Sequence, residues 1–140
     1  MKKRTYYVLG YGIHINVLPE ITVEKLAELI HSAPKFERRL YFEMLEESMN
    51  EYIRRTDTLD VATVLLEVIK ECEGLDLIIA STDDGDGDEI FLLYPPTYPW
   101  EVTDNNKIGL TEICAVFKKY TLILTGQEIE PQYFDWGRTS

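Results

Sequence analysis

Residues 6–17 alternate strictly. Tyr7, Leu9, Tyr11, Ile13, Ile15 and Val17 fall on one side of an extended chain, and Tyr6, Val8, Gly10, Gly12, His14 and Asn16 on the other. A period of two held this long predicts a half-buried strand. Its two glycines leave bare backbone on the second side, which allows a bulge or the close approach of a neighbour. The period then lengthens to that of a helix. Thr22 is placed to cap a helix through Val23, Leu26, Leu29 and Ile30, closed by Pro34. A second helix is expected over 35–55, on Phe36, Leu40, Met44, Leu45, Met49, Tyr52 and Ile53. A third begins after Asp57 or Thr58. Its stripe runs Val61, Val64, Leu65, Val68, Ile69, Cys72, and Gly74 is its natural C-cap.

Two strands are expected next, Leu75–Thr82 and Glu89–Tyr94, with a turn between them. The segment Tyr94–Trp100 holds three prolines and stays out of helix. A last helix is expected over Thr111–Thr125, with Ile113, Val116, Phe117, Tyr120 and Leu124 inward and Gly126 as cap, and the tail 127–136 adds a short strand. The order β-α-α-α-β-β-α-β predicts one α+β domain over residues 1–140. In it a mainly antiparallel sheet of N-terminal strand, central hairpin and C-terminal strand is packed with four helices.

Composition agrees with a packed core: 140 residues, 45% apolar, with nine Tyr and two Trp. No apolar run approaches the roughly 20 residues that span a bilayer. Met1-Lys2-Lys3-Arg4 is basic, but Gly10, His14 and Asn16 interrupt the apolar stretch after it and no small-residue cleavage site appears, so no secretory signal is expected. Cys72 and Cys114 both fall within predicted helices, where buried reduced thiols and a cytoplasmic location are the plain expectation.

Charge changes the picture more. The net charge is −11, which disfavours direct nucleic-acid binding by phosphate repulsion. Between Asp57 and Glu89 stand eleven acids and one base, Lys70, so −10 of the −11 lies in 33 residues. The densest part is Asp83, Asp84, Asp86, Asp88 and Glu89, interleaved with Gly85 and Gly87.

This cluster fails as a calcium loop. An EF-hand needs oxygens at positions 1, 3 and 5, Gly at 6 and Glu at 12. Setting Gly87 at 6 puts Leu93 at 12; starting at Asp84 puts Glu89 at 6 and Pro95 at 12. The plain reading is a solvated acidic turn, and the functional one is a docking surface. Glu43, Glu47 and Glu51 form a second acidic row at i, i+4 spacing, with Arg39 and Arg55 at its ends. It is either a solvated face laced with ion pairs or negative charge offered to a basic partner. Tyr94, Tyr98 and Trp100 either cover the sheet or anchor an interface.

Catalytic motifs are missing. Gly10-x-Gly12 lacks the third glycine of a dinucleotide fingerprint, and there is no P-loop, G-x-S-x-G or paired-His zinc motif. A nucleophile and base could be drawn from Cys114 and His14, with no local pattern behind the pair. The sequence therefore points to a small acidic non-enzymatic protein that engages a basic macromolecular surface, such as that of a nucleic-acid-binding protein. Asp83, Asp84, Asp86, Asp88, Glu89, Glu43, Glu47 and Glu51 would supply charge, and Tyr94, Tyr98 and Trp100 apolar contact. One version is an inhibitor that mimics nucleic-acid charge. Small phage-type inhibitors of host defence nucleases are similar in size and charge, though no motif carries that similarity. The competing readings are a protein that binds calcium or magnesium through Asp84, Asp86 and Asp88, and an enzyme whose site gathers residues scattered along the chain.

Overall fold

The computed structural model describes residues 5–44, 49–54, 56–82, 89–94 and 110–139. Its elements are β1 (Thr5–His14), a 3₁₀ turn (Ile15–Val17), α1 (Val23–His31), α2 (Pro34–Met44), α3 (Met49–Arg54), α4 (Thr58–Glu73), β2 (Ile78–Ser81), β3 (Ile90–Tyr94), α5 (Leu110–Thr125) and β4 (Gln132–Thr139). The strands form one antiparallel sheet in the order β2-β3-β1-β4. The helices gather against one face, α4 on β2 and β3, and α5 on β1. This is the expected α+β fold. Among the described residues no helix is long and apolar enough to cross a membrane.

The caps follow from the sequence. Thr22 Oγ1 accepts from the Lys25 amide at 3.3 Å and opens α1. Gly74 closes α4 at φ 68°, and Gly126 follows α5 at φ 80°. Pro34 departs from expectation, since it begins α2 instead of only ending α1. Its missing amide costs nothing at a first helical position, where no carbonyl is available to it. The helix expected over 35–55 is described as α2 and α3, with residues 45–48 outside the described set.

β1 also ends earlier than its alternation suggests. At Ile15 the backbone turns into the 3₁₀ segment, and the Asn16 side chain accepts from the Ile90 amide at 2.7 Å. Val17, expected inward, is 70% exposed. β2 is shorter than the predicted strand, and β4 is longer.

The main core lies between the sheet and the helices, around Ile13, Leu92, Leu26, Leu65, Ile69, Phe117 and Leu124. The second side of β1 is buried too. Val8 clusters with Phe91, Leu93 and Phe134, and none of the first three is solvent-exposed. The two glycines explain how β1 and β3 close up here. A Cβ built on Gly12 would collide with the Leu92 carbonyl oxygen, and one on Gly10 would lie 2.7 Å from the Tyr94 oxygen. Gly10 also has φ 152°, which L side chains rarely adopt.

The tail is tied down before it enters β4. The buried Thr121 hydroxyl donates to the Phe117 carbonyl at 2.7 Å and accepts from the Ile129 amide at 3.0 Å. Lys25 Nζ donates to the Thr125 carbonyl at 3.0 Å, so α1 closes the end of α5.

These glycines should rank clearly on substitution. Gly12→Ala forces β1 from β3 and should cost about 3 kcal/mol, read as a large drop in Tm. Gly74→Ala meets nothing within 4 Å but keeps its left-handed backbone, and should cost only about 1–2 kcal/mol.

Candidate functional site

The acidic sector is where sequence reasoning looked for function, and the structure engages most of its carboxylates within the fold. Asp57 and Asp60 cap α4 reciprocally. Asp57 Oδ1 accepts from the Asp60 amide at 2.9 Å, and Asp60 Oδ2 from the Asp57 amide at 3.1 Å. Glu67 accepts from Arg39 at 2.9 Å, a bond that raises the guanidinium above its ordinary pKa. Arg39 was expected to pair along its own helix with Glu43. It reaches across to α4 instead, with Glu43 a more distant charge.

Glu71 does more structural work. Ala33, just before α2, has no side-chain acceptor, and Pro34 has no amide. The next two amides, of Lys35 and Phe36, donate to Glu71 at 3.1 and 2.8 Å. The following one, of Glu37, reaches the Ala33 carbonyl at 2.9 Å. A residue of α4 thus completes the first turn of α2. Glu73, the last residue of α4, accepts from Lys119 at 3.1 Å and from the Tyr120 hydroxyl at 2.9 Å. Asp76 is the loosest, 86% exposed and 3.9 Å from Lys70.

Glu89 stands at the other end of the sector, at the mouth of the β2–β3 hairpin. Its carbonyl accepts from the Thr82 amide at 3.0 Å, and its amide donates to the buried Thr82 hydroxyl at 3.1 Å. Its carboxylate lies 2.6 Å from His14 Nε2. The His14 ring stacks on Phe91 at 4.3 Å, and Phe134 meets Phe91 edge-on at 5.0 Å. The antiparallel pairing of the two strands is as the sequence expected, and the stem is clamped on both strands by contacts that it did not announce. Asp83, Asp84, Asp86 and Asp88 lie outside the described residues, as do Glu47, Tyr98 and Trp100.

The remaining candidates separate. Glu43 is exposed on α2 and Glu51 exposed on α3, so the i, i+4 row does not run along one described helix. Tyr94 is half-buried, packs against the main core and pairs with Tyr11. Among the described residues no group of three or more His, Cys, Asp or Glu could hold a metal.

The Cys114–His14 pair does not form. His14 lies on the Phe91 side of the sheet, whereas Cys114 and Tyr11 line one groove on the helix side. Strand alternation already held this answer, because residues 11 and 14 differ in parity. Cys72, expected buried, is exposed in the last turn of α4, where its stripe leaves the core. Its Sγ donates to the Ser32 carbonyl at 3.3 Å. Sequence reasoning also missed a cavity of about 400 Å³ between β1 and α5, lined by Tyr11, Thr111, Cys114, Ala115 and Lys118. The last four repeat at helical spacing, a signal visible only once a partner strand is known.

Two sets of substitutions separate structural from spare acids. Glu71→Ala leaves two amides without an acceptor and should cost about 1–2 kcal/mol in denaturant unfolding, while Asp76→Ala should change stability by less than about 0.5 kcal/mol. The second set concerns pH. Burial alone would raise the Glu73 carboxyl, but the hydrogen bonds from Lys119 and Tyr120, with the Lys119 charge, hold it below its ordinary 4.5. Burial first, then the hydrogen bonds to Glu73 and Cys72, pushes the Tyr120 phenol far above its ordinary 10.0. The carboxylate's contribution is present above the unfolded value and lost as pH falls through the lowered one. The phenol's is present below pH 10 and declines as pH rises beyond it, because only the unfolded chain gives up the proton. In a series of melts against pH, Glu73→Gln should flatten the acid limb and Tyr120→Phe the alkaline limb.

The chain matches no protein-family model, no curated protein and no solved structure.

Proposed function

We propose that the protein binds a basic macromolecular surface through the connection between β2 and β3, and that it does so without catalysis. The observation that supports this is that the described carboxylates of the acidic sector are already engaged within the fold, while four acids are packed into the short connection between two hydrogen-bonded residues. From Asp57 to Glu89 every described carboxylate is a helix cap, an ion pair or part of the hairpin clamp, with Asp76 the loosest. The four aspartates of residues 83–88 lie outside the described residues, in a six-residue connection whose two flanking residues, Thr82 and Glu89, are hydrogen-bonded to each other. Carboxylates this close repel one another, and an array of Lys or Arg on a partner would relieve that repulsion.

A nucleic-acid-binding protein is the partner class that offers such an array, so the connection would act as a stand-in for phosphate charge. The two free cysteines are compatible with action in the cytoplasm. Tyr98 and Trp100 would add apolar contact, whereas Tyr94 is already committed to the core.

The test is capture of basic proteins from a lysate at several salt concentrations. Capture should weaken as salt rises. Replacing Asp84, Asp86 and Asp88 with lysine should abolish it, while Glu43→Lys, Glu51→Lys and Asp76→Lys together, the same change in charge, should leave most of it. Equal loss in both variants would mean that only total charge matters and would refute the local site. Calcium or magnesium calorimetry covers the cation alternative, for which saturable heat lost in the Asp84, Asp86 and Asp88 variant is the signature.

A further inference from the structure

Among the described strands the sheet ends at β2 and β4, and the edge at β2 borders the acidic connection. There β2 pairs with β3 alone, from Ile78↔Leu93 to Ser81↔Ile90. The Thr82 amide donates to the Glu89 carbonyl, so the backbone of residue 82 faces β3. That direction alternates along an antiparallel strand. The amides and carbonyls of Ile78 and Ala80 therefore also turn toward β3, and those of Ile79 and Ser81 turn outward. Among the described residues nothing bonds to the outward groups.

The side chains along this edge suit an added strand. Ile78 is 40% exposed and pairs with Leu93, on the side of the sheet away from the main core. An apolar side chain on a neighbouring strand would cover it. Charge selects the occupant. Asp76, 86% exposed, lies two residues before β2, and Asp83 two residues after it. Two β2 strands paired antiparallel would set each copy's Asp76 against the other's segment from Asp83 onward, acid against acid, which disfavours a second copy. A segment with Lys or Arg at both ends meets opposite charge instead, whichever way it runs. Lys70, 3.9 Å from Asp76, opposes this. The sequence of β4 carries one charge of each sign, Asp135 and Arg138, and makes no such selection.

We propose that the outer edge of β2 takes up an extended segment of the basic partner as a fifth strand of the sheet. This rests on the binding proposed above and says how the partner is held. Ile79 and Ser81 would each supply one donor and one acceptor to the backbone of the segment. Such bonds fix its extended shape and not its sequence. Sequence preference comes from an apolar residue against Ile78 and from Lys or Arg beyond the two ends of β2. The edge needs little ordering, because Thr82 and Glu89 hold β2 to β3 at the end next to the connection.

Titration of the intact chain at low salt tests this, with a capped peptide that has paired arginines at each end of an alternating valine and threonine stretch. Its control is the same peptide N-methylated at every central residue, which keeps the charge and loses the donors. The unmodified peptide should bind at least roughly tenfold more tightly. At saturation the Ile79 and Ser81 amides should exchange with deuterium at least roughly tenfold more slowly. Ser81→Pro removes one outward donor and leaves the β3 side intact, so it should weaken the unmodified peptide roughly fivefold and leave the control unchanged. Equal binding of the two peptides, or binding without protection of Ile79 and Ser81, would overturn strand addition while leaving charge-based binding in place. No binding of either peptide would overturn both. Protection of the two amides in the protein alone, rising with its concentration, would mean that a second copy fills the edge and would also overturn the proposal. The exchange comparison needs no variant, so it stands even if Ser81→Pro disturbs folding.

Discussion

The contact on which the rest of the molecule depends is the close approach of β1 to β3 at Gly10 and Gly12. Among the described strands only β1 pairs with both β3 and β4, so its position fixes the sheet. With no side chain at residue 12, the Leu92 carbonyl occupies the space a Cβ would need. That contact draws Tyr11 level with Tyr94 on the helix side and His14 level with Phe91 on the other. One side of the strand then supplies a wall of the cavity at Cys114, and the other supplies the histidine that meets Glu89. Both features are set by the same stretch of backbone.

The acidic sector illustrates how total charge differs from available charge. An acid at a helix start meets unpaired amides and the positive end of the helix dipole, so it stabilises the fold where it stands. Asp57, Asp60 and Glu71 are used this way. Glu67 and Glu73 stitch α4 to α2 and α5. Exposed pairs of this kind contribute little each, but together they explain why much of a strongly acidic stretch is not a bare face.

What could be read from the sequence was whatever has a local cause. Thr22, Asp57 and Gly74 do as caps what their positions suggested, since a cap needs only neighbours within a few residues. The alternation of 6–14 gave the strand and both of its sides. Non-local bonds were out of reach. Nothing near Asn16 announces that its side chain will take the Ile90 amide and end β1, and nothing near Glu71 announces an attachment 35 residues away. The candidate site divides the same way. The hairpin stem could be read from its flanking strands, while the pairing of His14 with Glu89 required the strand order, and the meeting of Tyr11 with Cys114 required the packing of α5 on β1.

The attachment of Glu71 has one more consequence, for the way the molecule opens. α2 lacks an acceptor of its own at its first turn and borrows one from the last turn of α4. When that part of α4 frays, two α2 amides lose their acceptor in the same event. The two helices therefore form one cooperative unit, and their amides should exchange with solvent deuterium at a shared rate instead of each helix fraying independently.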